Sequence, residues 1–199
     1  MKRLTALIAA ISAAFVLAAC GGEDEQPKST GGSSPTATTQ AAHNDADVQF
    51  AQDMIMHHRQ AIEMAELALA QAESQEVKAL ATEIKAAQDP EIQQMSSWLT
   101  AWGEDVPEDT AGGHESMGHT MPGMMTEDQM NQLKAARGRE FDTMFLTMMI
   151  EHHQGAIEMA KAVQTAGENP DVKTLAKSIE SAQTAEITRM NDLLDAISP

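Results

Sequence analysis

One stretch of this chain occurs twice, and the repetition limits what the chain can fold into. The segment Met54-Ile-Met-His-His-Arg-Gln-Ala-Ile-Glu-Met-Ala65 returns as Met149-Ile-Glu-His-His-Gln-Gly-Ala-Ile-Glu-Met-Ala160, about 95 positions later and in the same register. The match extends without a gap from Asp47/Asp142 to Leu99/Leu194, with about 23 of 53 paired positions identical, among them Phe50/Phe145, Val77/Val172, Leu80/Leu175, Ile84/Ile179, Ile92/Ile187 and Met95/Met190. The chain is a tandem duplication, and the copied part contains two adjacent imidazoles flanked by thioethers.

Each copy reads as a helical hairpin. In the first, Phe50, Met54, His57, Ala61 and Met64 fall on one face at helical spacing. A helix is expected over about 46–72, capped by Asp45 or Asp47, whose carboxylate would satisfy exposed amides. Glu73-Ser74-Gln75 is the turn, and a second helix over about 76–101 carries Val77, Leu80, Ile84, Ile92, Met95 and Leu99 as its stripe, with a kink expected at Asp89-Pro90. The second copy predicts helices over about 127–166 and 171–197, with Gly167 as a stop and Pro170 as a fresh start. Nothing in 46–198 reads as a strand. Two hairpins that each leave an apolar face open pack most economically on each other, so the expected fold is all-α, a four-helix bundle of two tandem helical hairpins. Repeat one spans 46–101, a His/Met-rich loop 103–126, and repeat two 127–197.

The first forty-five residues do not belong to that fold. Lys2 and Arg3 precede an apolar run from Leu4 to Leu17, too short for a comfortable membrane span and typical of a signal peptide over 1–19. The run ends in Leu17-Ala18-Ala19-Cys20, which looks like a bacterial lipobox, so Cys20 is the expected lipidation site. Residues 20–45, rich in Gly, Ser, Thr, Gln and Pro, read as a disordered tether. The expected location is therefore outside the cytoplasm, lipid-anchored to the extracytoplasmic face of a bacterial membrane. Cys20 is the only cysteine, so no disulfide within the chain and no thiolate ligand is available. Thirteen basic against thirty acidic residues give a formal net charge of −17, which repels nucleic acid and attracts cations.

The candidate chemistry lies in the histidines and methionines. Helical geometry puts His57 in the centre of the apolar stripe and His58 at its edge near Met54 and Asp47; His152 and His153 have the same placement in the second copy. A single histidine of this kind is ordinarily a hydrogen-bonded core residue. Four at symmetric places point to metal or proton chemistry, because each buried imidazole needs its own partner. Met54, Met64, Met149 and Met159 share a face with the imidazoles and either fill the core or ligate. Between the repeats, Met117, Met121, Met124 and Met125 stand with His114 and His119 in a polar, Gly-rich loop, where exposed methionine has no packing reason; a hydrophobic lid is the plainer alternative. Thioethers select Cu(I), with silver as a mimic, and imidazole accepts copper in either oxidation state. Copper is the expected metal, Cu(I) before Cu(II). Glu63 and Glu158 are expected to face solvent or pair with a base such as Arg59. The Glu-x-x-His spacing of di-iron carboxylate bundles is absent, and no nucleophile constellation is present.

The paired Met-Ile-x-His-His blocks, the Phe141 to His153 segment and the following Ala-Ile-Glu-Met-Ala resemble a bacterial family, the domain of unknown function 305, which includes CopM-like copper-binding proteins. The resemblance covers about 45–197. It implies a ferritin-like four-helix bundle, export, and for CopM-like members copper binding associated with copper resistance. By motif it points to His57, His58, His152 and His153 with the neighbouring methionines and the loop. The resulting expectation is a non-enzymatic lipoprotein that buffers copper or passes it to a transfer partner. A metal-dependent redox enzyme and a metal-free structural or interaction lipoprotein are the rivals.

Overall fold

The computed structural model describes residues 42–108 and 121–197, all within one compact unit, Gln40–Pro199. The predicted signal segment with Cys20, and the loop residues His114, Met117 and His119, lie outside the described residues. Five helices occur, α1 (Asp45–Gln71), α2 (Gln75–Trp102), α3 (Glu127–Ala135), α4 (Gly138–Ala166) and α5 (Pro170–Ile197), and no strand is present among the described residues. The all-helical expectation holds. No helix among the described residues is long and apolar enough to cross a membrane.

Two local expectations need correction. The predicted helix over 127–166 is two helices, because Ala136 and Arg137 are extended and Gly138 adopts φ 60°. A positive φ is a conformation that glycine reaches without steric cost, so the chain turns there. The cap of α1 is Asn44 rather than Asp45 or Asp47. The Asn44 side chain accepts from the amides of Ala46 and Asp47, while the Asp47 carboxylate accepts from the Asn44 amide in a capping box. Pro90 lies inside α2, which continues past it to Trp102. Gly167 ends α4 in an extended conformation. A Cβ there would meet the Asp47 carboxylate at 2.4 Å, so glycine is needed for a close approach.

That approach shows how the repeats interlock. Asp47 of α1 accepts from the amides of Glu168 and Asn169 in the α4–α5 turn, at 2.9 and 3.0 Å. Asp142 of α4 accepts from Glu73 and Ser74 in the α1–α2 turn, at 3.0 and 2.8 Å. These are the same contacts at the repeat offset. Each repeat caps the turn of the other, so α1 and α4 run antiparallel. Packing follows from this: α1 lies against α2, α4 against α5, and α1 against α4, while α2 and α5 share only a slender contact.

The apolar core is divided. One cluster takes Met64 and Ala68 from α1, Leu80 and Ile84 from α2, Phe141, Phe145 and Met149 from α4, and Met190 from α5. The other takes Phe50 and Met54, then Met95 and Leu99, Ala156 and Ala160, and Val172 and Ile179 from the same four helices. On every long helix a polar pair separates the two clusters: His57 and His58, Gln88 and Glu91, His152 and His153, Gln183 and Glu186. A layer of polar residues crosses the middle of an aliphatic core.

Candidate metal centre

All four imidazoles in that layer are fully buried. His58 therefore does not sit at the edge of the stripe, as its position on the helix had suggested. It turns toward α2, and its Nε2 lies 2.7 Å from a carboxylate oxygen of Glu91. His153 repeats the contact with Glu186, also at 2.7 Å. His57 and His152 meet each other, with ring centroids 3.7 Å apart and planes tilted by 40°. A pair that is its own image under the repeat marks the centre of the arrangement.

The other bonds of the central pair differ. His57 donates from Nε2 to the Pro122 carbonyl at 3.0 Å, whereas neither nitrogen of His152 has a hydrogen-bond partner. Burial, then the nearby His58 imidazole, pushes the His57 pKa from its usual 6.5 down to about 3, with the Pro122 bond opposing the shift. Burial first, and then the other three imidazoles, also holds His152 well below the usual value, opposed by an approach to the His57 backbone that does not reach hydrogen-bond geometry. Both rings are neutral at physiological pH.

Polar groups buried without partners are costly, and most native proteins contain few. Here the Nδ1 atoms of His57, His58, His152 and His153, Nε2 of His152, and amide atoms of Gln88 and Gln183 are all buried without a partner. Nearly the whole unsatisfied set of the described residues falls in this one layer. Neutral imidazoles with free nitrogens are the protonation state that binds metal. Among the described residues, no three His, Cys, Asp or Glu side chains gather closely enough to enclose an ion as they stand. An ion held here would take imidazole nitrogens and draw on thioethers for the rest of its shell.

The sequence singled out eight methionines as candidates. Met54 and Met149, one helical turn before the His pairs, are fully buried on opposite sides of the polar layer, and Met64 is also fully buried. Met159 is partly buried. The loop methionines that fall within the described residues are not exposed as expected. Met125 joins the core at 5% exposure, Met121 is buried at 8%, and Met124 is half-buried. Met124 lines a cleft of about 410 Å³ with Pro122, Gly123, Gln129, Glu151 and Glu158, and no histidine among the described residues lines it. Glu63 is ion-paired as expected, but with Lys134 at 2.8 Å, because the Arg59 guanidinium donates to the carbonyls of Pro107 and Glu108.

The 121–125 segment is seated by two residues at equivalent places in the repeats. Gln60 grips Met125 through both its amide and its carbonyl, at 2.7 and 2.9 Å. Its counterpart is Gly155, where a Cβ would stand 2.0 Å from the Pro122 carbonyl oxygen. One repeat supplies a hand and the other a vacancy. Glu91 and Glu186 were not among the expected site residues. Their signal was present in the sequence: both glutamates are identical across the repeat, and each follows an identical glutamine by one turn.

The family model for the domain of unknown function DUF305 matches residues 47–194. Among solved structures, a DUF305 protein of Streptomyces coelicolor is 34% identical, with a TM-score of 0.67 over 76% of this chain and 93% of its own. A DUF305 fragment from Deinococcus radiodurans is 31% identical, with a TM-score of 0.68 over 77% and 97%. CopM in its Cu(I)-bound form is 32% identical, with a TM-score of 0.64 over 77% and 98%, and CopM is also known in Cu(II)-bound and Ag-bound forms. No curated protein matches. The chain belongs to the DUF305 family.

Proposed function

We propose that this protein binds copper, Cu(I) in preference to Cu(II), and buffers or transfers it outside the cytoplasm without catalysing a covalent reaction. The single observation that carries this reading is the polar layer: four buried, duplicated imidazoles whose nitrogens are left without partners in the core. Imidazole nitrogen with thioether sulfur is a donor set suited to copper and silver. CopM, solved with Cu(I), Cu(II) and silver, adds support at about a third identity.

In this proposal His57, His58, His152 and His153 form the core site, with Met54 and Met149 as the nearest thioethers and Met64 and Met159 beyond them. The loop set of His114, Met117, His119, Met121, Met124 and Met125 captures ions or hands them on. The helices form a ferritin-like four-helix bundle, tethered through residues 20–45 to a lipid at Cys20, and a copper-transfer protein is the partner. The acidic composition raises the local concentration of cations.

The test is an anaerobic Cu(I) competition titration against a chromophoric chelator. It compares the protein with a His57/His58/His152/His153→Ala variant and with a loop variant in which the six loop residues are replaced. Saturable binding that loses stoichiometry in either variant supports the reading and assigns the site. Binding no tighter than to an unrelated acidic protein removes copper from the account.

A further inference from the structure

Glu91 and Glu186 lie on helices that carry none of the histidines, yet each ends 2.7 Å from Nε2 of an imidazole on the neighbouring helix. Their side chains keep 18% and 20% exposure, while the histidines they meet keep none. In a histidine–carboxylate contact of this kind the ring nitrogen donates and the carboxylate oxygen accepts, so Nε2 of His58 and of His153 carries a proton. Only the protonation of Nδ1 remains open. A proton there would place an N–H in the core with no acceptor, because both Nδ1 atoms are buried and unpartnered. It would also put a full positive charge there, the costlier alternative. The lone pair of each ring is therefore assigned to Nδ1, the buried nitrogen that has no acceptor to donate to.

His57 reaches the same state by another route. The Pro122 carbonyl has no proton to give, so His57 Nε2 donates, and its buried Nδ1 bears the lone pair. Three of the four imidazoles thus have Nε2 occupied and Nδ1 free. His152, with neither nitrogen in a well-formed hydrogen bond, is the one whose tautomer no such bond sets.

We propose that Glu91 and Glu186 are positioning residues of the metal site, holding His58 and His153 in the Nε2–H tautomer so that Nδ1 is the nitrogen offered to copper. The inference rests on the copper reading for its metal and on the geometry above for its tautomers. A carboxylate behind a ligating histidine fixes ring orientation and raises the basicity of the donor nitrogen; losing one typically costs 10–100-fold in affinity. A carboxylate present only for stability would account for the occupied Nε2. It would leave five imidazole nitrogens in one layer without a role.

The experiment is long-range 1H–15N correlation on the full chain labelled with 15N-histidine, first without metal and then with Cu(I) under anaerobic conditions. Without metal, His57, His58 and His153 should each show a protonated Nε2 and a bare Nδ1. Glu91→Leu and Glu186→Leu should release His58 and His153 respectively into mixed tautomers and weaken Cu(I) binding about 10–100-fold. Glu91→Gln and Glu186→Gln, whose amide oxygen still accepts, should keep the tautomer and restore most of the affinity. The glutamine variants also guard against a leucine variant that fails to fold. With Cu(I), the Nδ1 signals of His58 and His153 should move while Nε2–H persists. An Nδ1–H tautomer in the metal-free protein, or copper on Nε2, overturns the inference and leaves the copper reading intact. Histidine signals that ignore Cu(I) while the tautomers stand as described overturn the copper reading at this site, and the donor assignment with it.

Discussion

The two repeats hold their outer imidazoles identically and their inner imidazoles differently. His58 and His153 each meet a glutamate at 2.7 Å, on helices that correspond. His57 is tied to the Pro122 carbonyl, while its image His152 has no hydrogen bond. The difference comes from the connection between the repeats, which exists only once and so cannot obey their symmetry. Where it crosses the helices, one repeat offers the Gln60 amide and the other the bare backbone of Gly155. Where the single-copy segment touches the polar layer, the two repeats can no longer be treated alike.

Acid should act on both halves together and most strongly. In the metal-free protein His57 stays neutral down to about pH 3, with His152 also held low, whereas the unfolded imidazole takes up a proton below about 6.5. Between those limits the unfolded state binds more protons, so stability is full above pH 6.5 and is lost as pH falls. The expected loss is on the order of 1 kcal/mol per pH unit for each of the two imidazoles. Urea melts at pH 7, 6 and 5 should show it, with a shallower slope in a His57→Leu/His152→Leu variant. Equal slopes would mean the pair is not buried neutral.

The turn-locking aspartates should differ in degree. Asp47→Ala removes an acceptor from three amides, those of Asn44, Glu168 and Asn169, and Asp142→Ala from two, those of Glu73 and Ser74. We expect about 3 kcal/mol for the first and about 2 for the second, read from the midpoint of chemical denaturation. A reversed order would break the proposed equivalence of the turns. Next comes the seat of the connecting segment. Gly155→Ala drives a methyl into the Pro122 backbone and should cost about 2 kcal/mol. Gln60→Ala loses two bonds to Met125 and should cost about 1 kcal/mol. The same melts check both, and a silent Gly155→Ala would show that the segment is not seated there.

The smallest effect sharpens the comparison most. In metal-free protein, His152→Leu removes two unpartnered nitrogens and should be neutral or stabilising by up to about 1 kcal/mol, whereas His57→Leu strands the Pro122 carbonyl and should destabilise by about that amount. Thermal melts of the two variants side by side would reveal equal effects if the asymmetry is not real.

Much of this arrangement is legible in the sequence. Phe50, Leu80, Ile84 and their images announce the hairpins through spacing alone, and the histidines stand out because such side chains are rarely repeated in register. Glu91 and Glu186 also repeat in register, but a carboxylate on an amphipathic helix is usually solvated, and the distance to a neighbouring helix is what gives the repetition its meaning. Met125 was misplaced for the converse reason: its local surroundings are polar, and its burial depends on a grip by Gln60, 65 residues away. The break before α4 is marked in the sequence by Gly138, but Met130 and Leu133 before it and Phe141 and Phe145 after it keep helical spacing on either side.

The crossed aspartates also bear on ancestry. A lone hairpin with one such aspartate near its start and one uncapped turn cannot satisfy itself, since its aspartate reaches a different hairpin's turn. Two identical copies facing each other satisfy both turns at once, as isologous dimers do. Joining the copies end to end turns the dimer into a monomer and removes its dependence on concentration. It also frees each half from being identical to the other. The difference between glutamine at 60 and glycine at 155 is one that two identical chains could not carry.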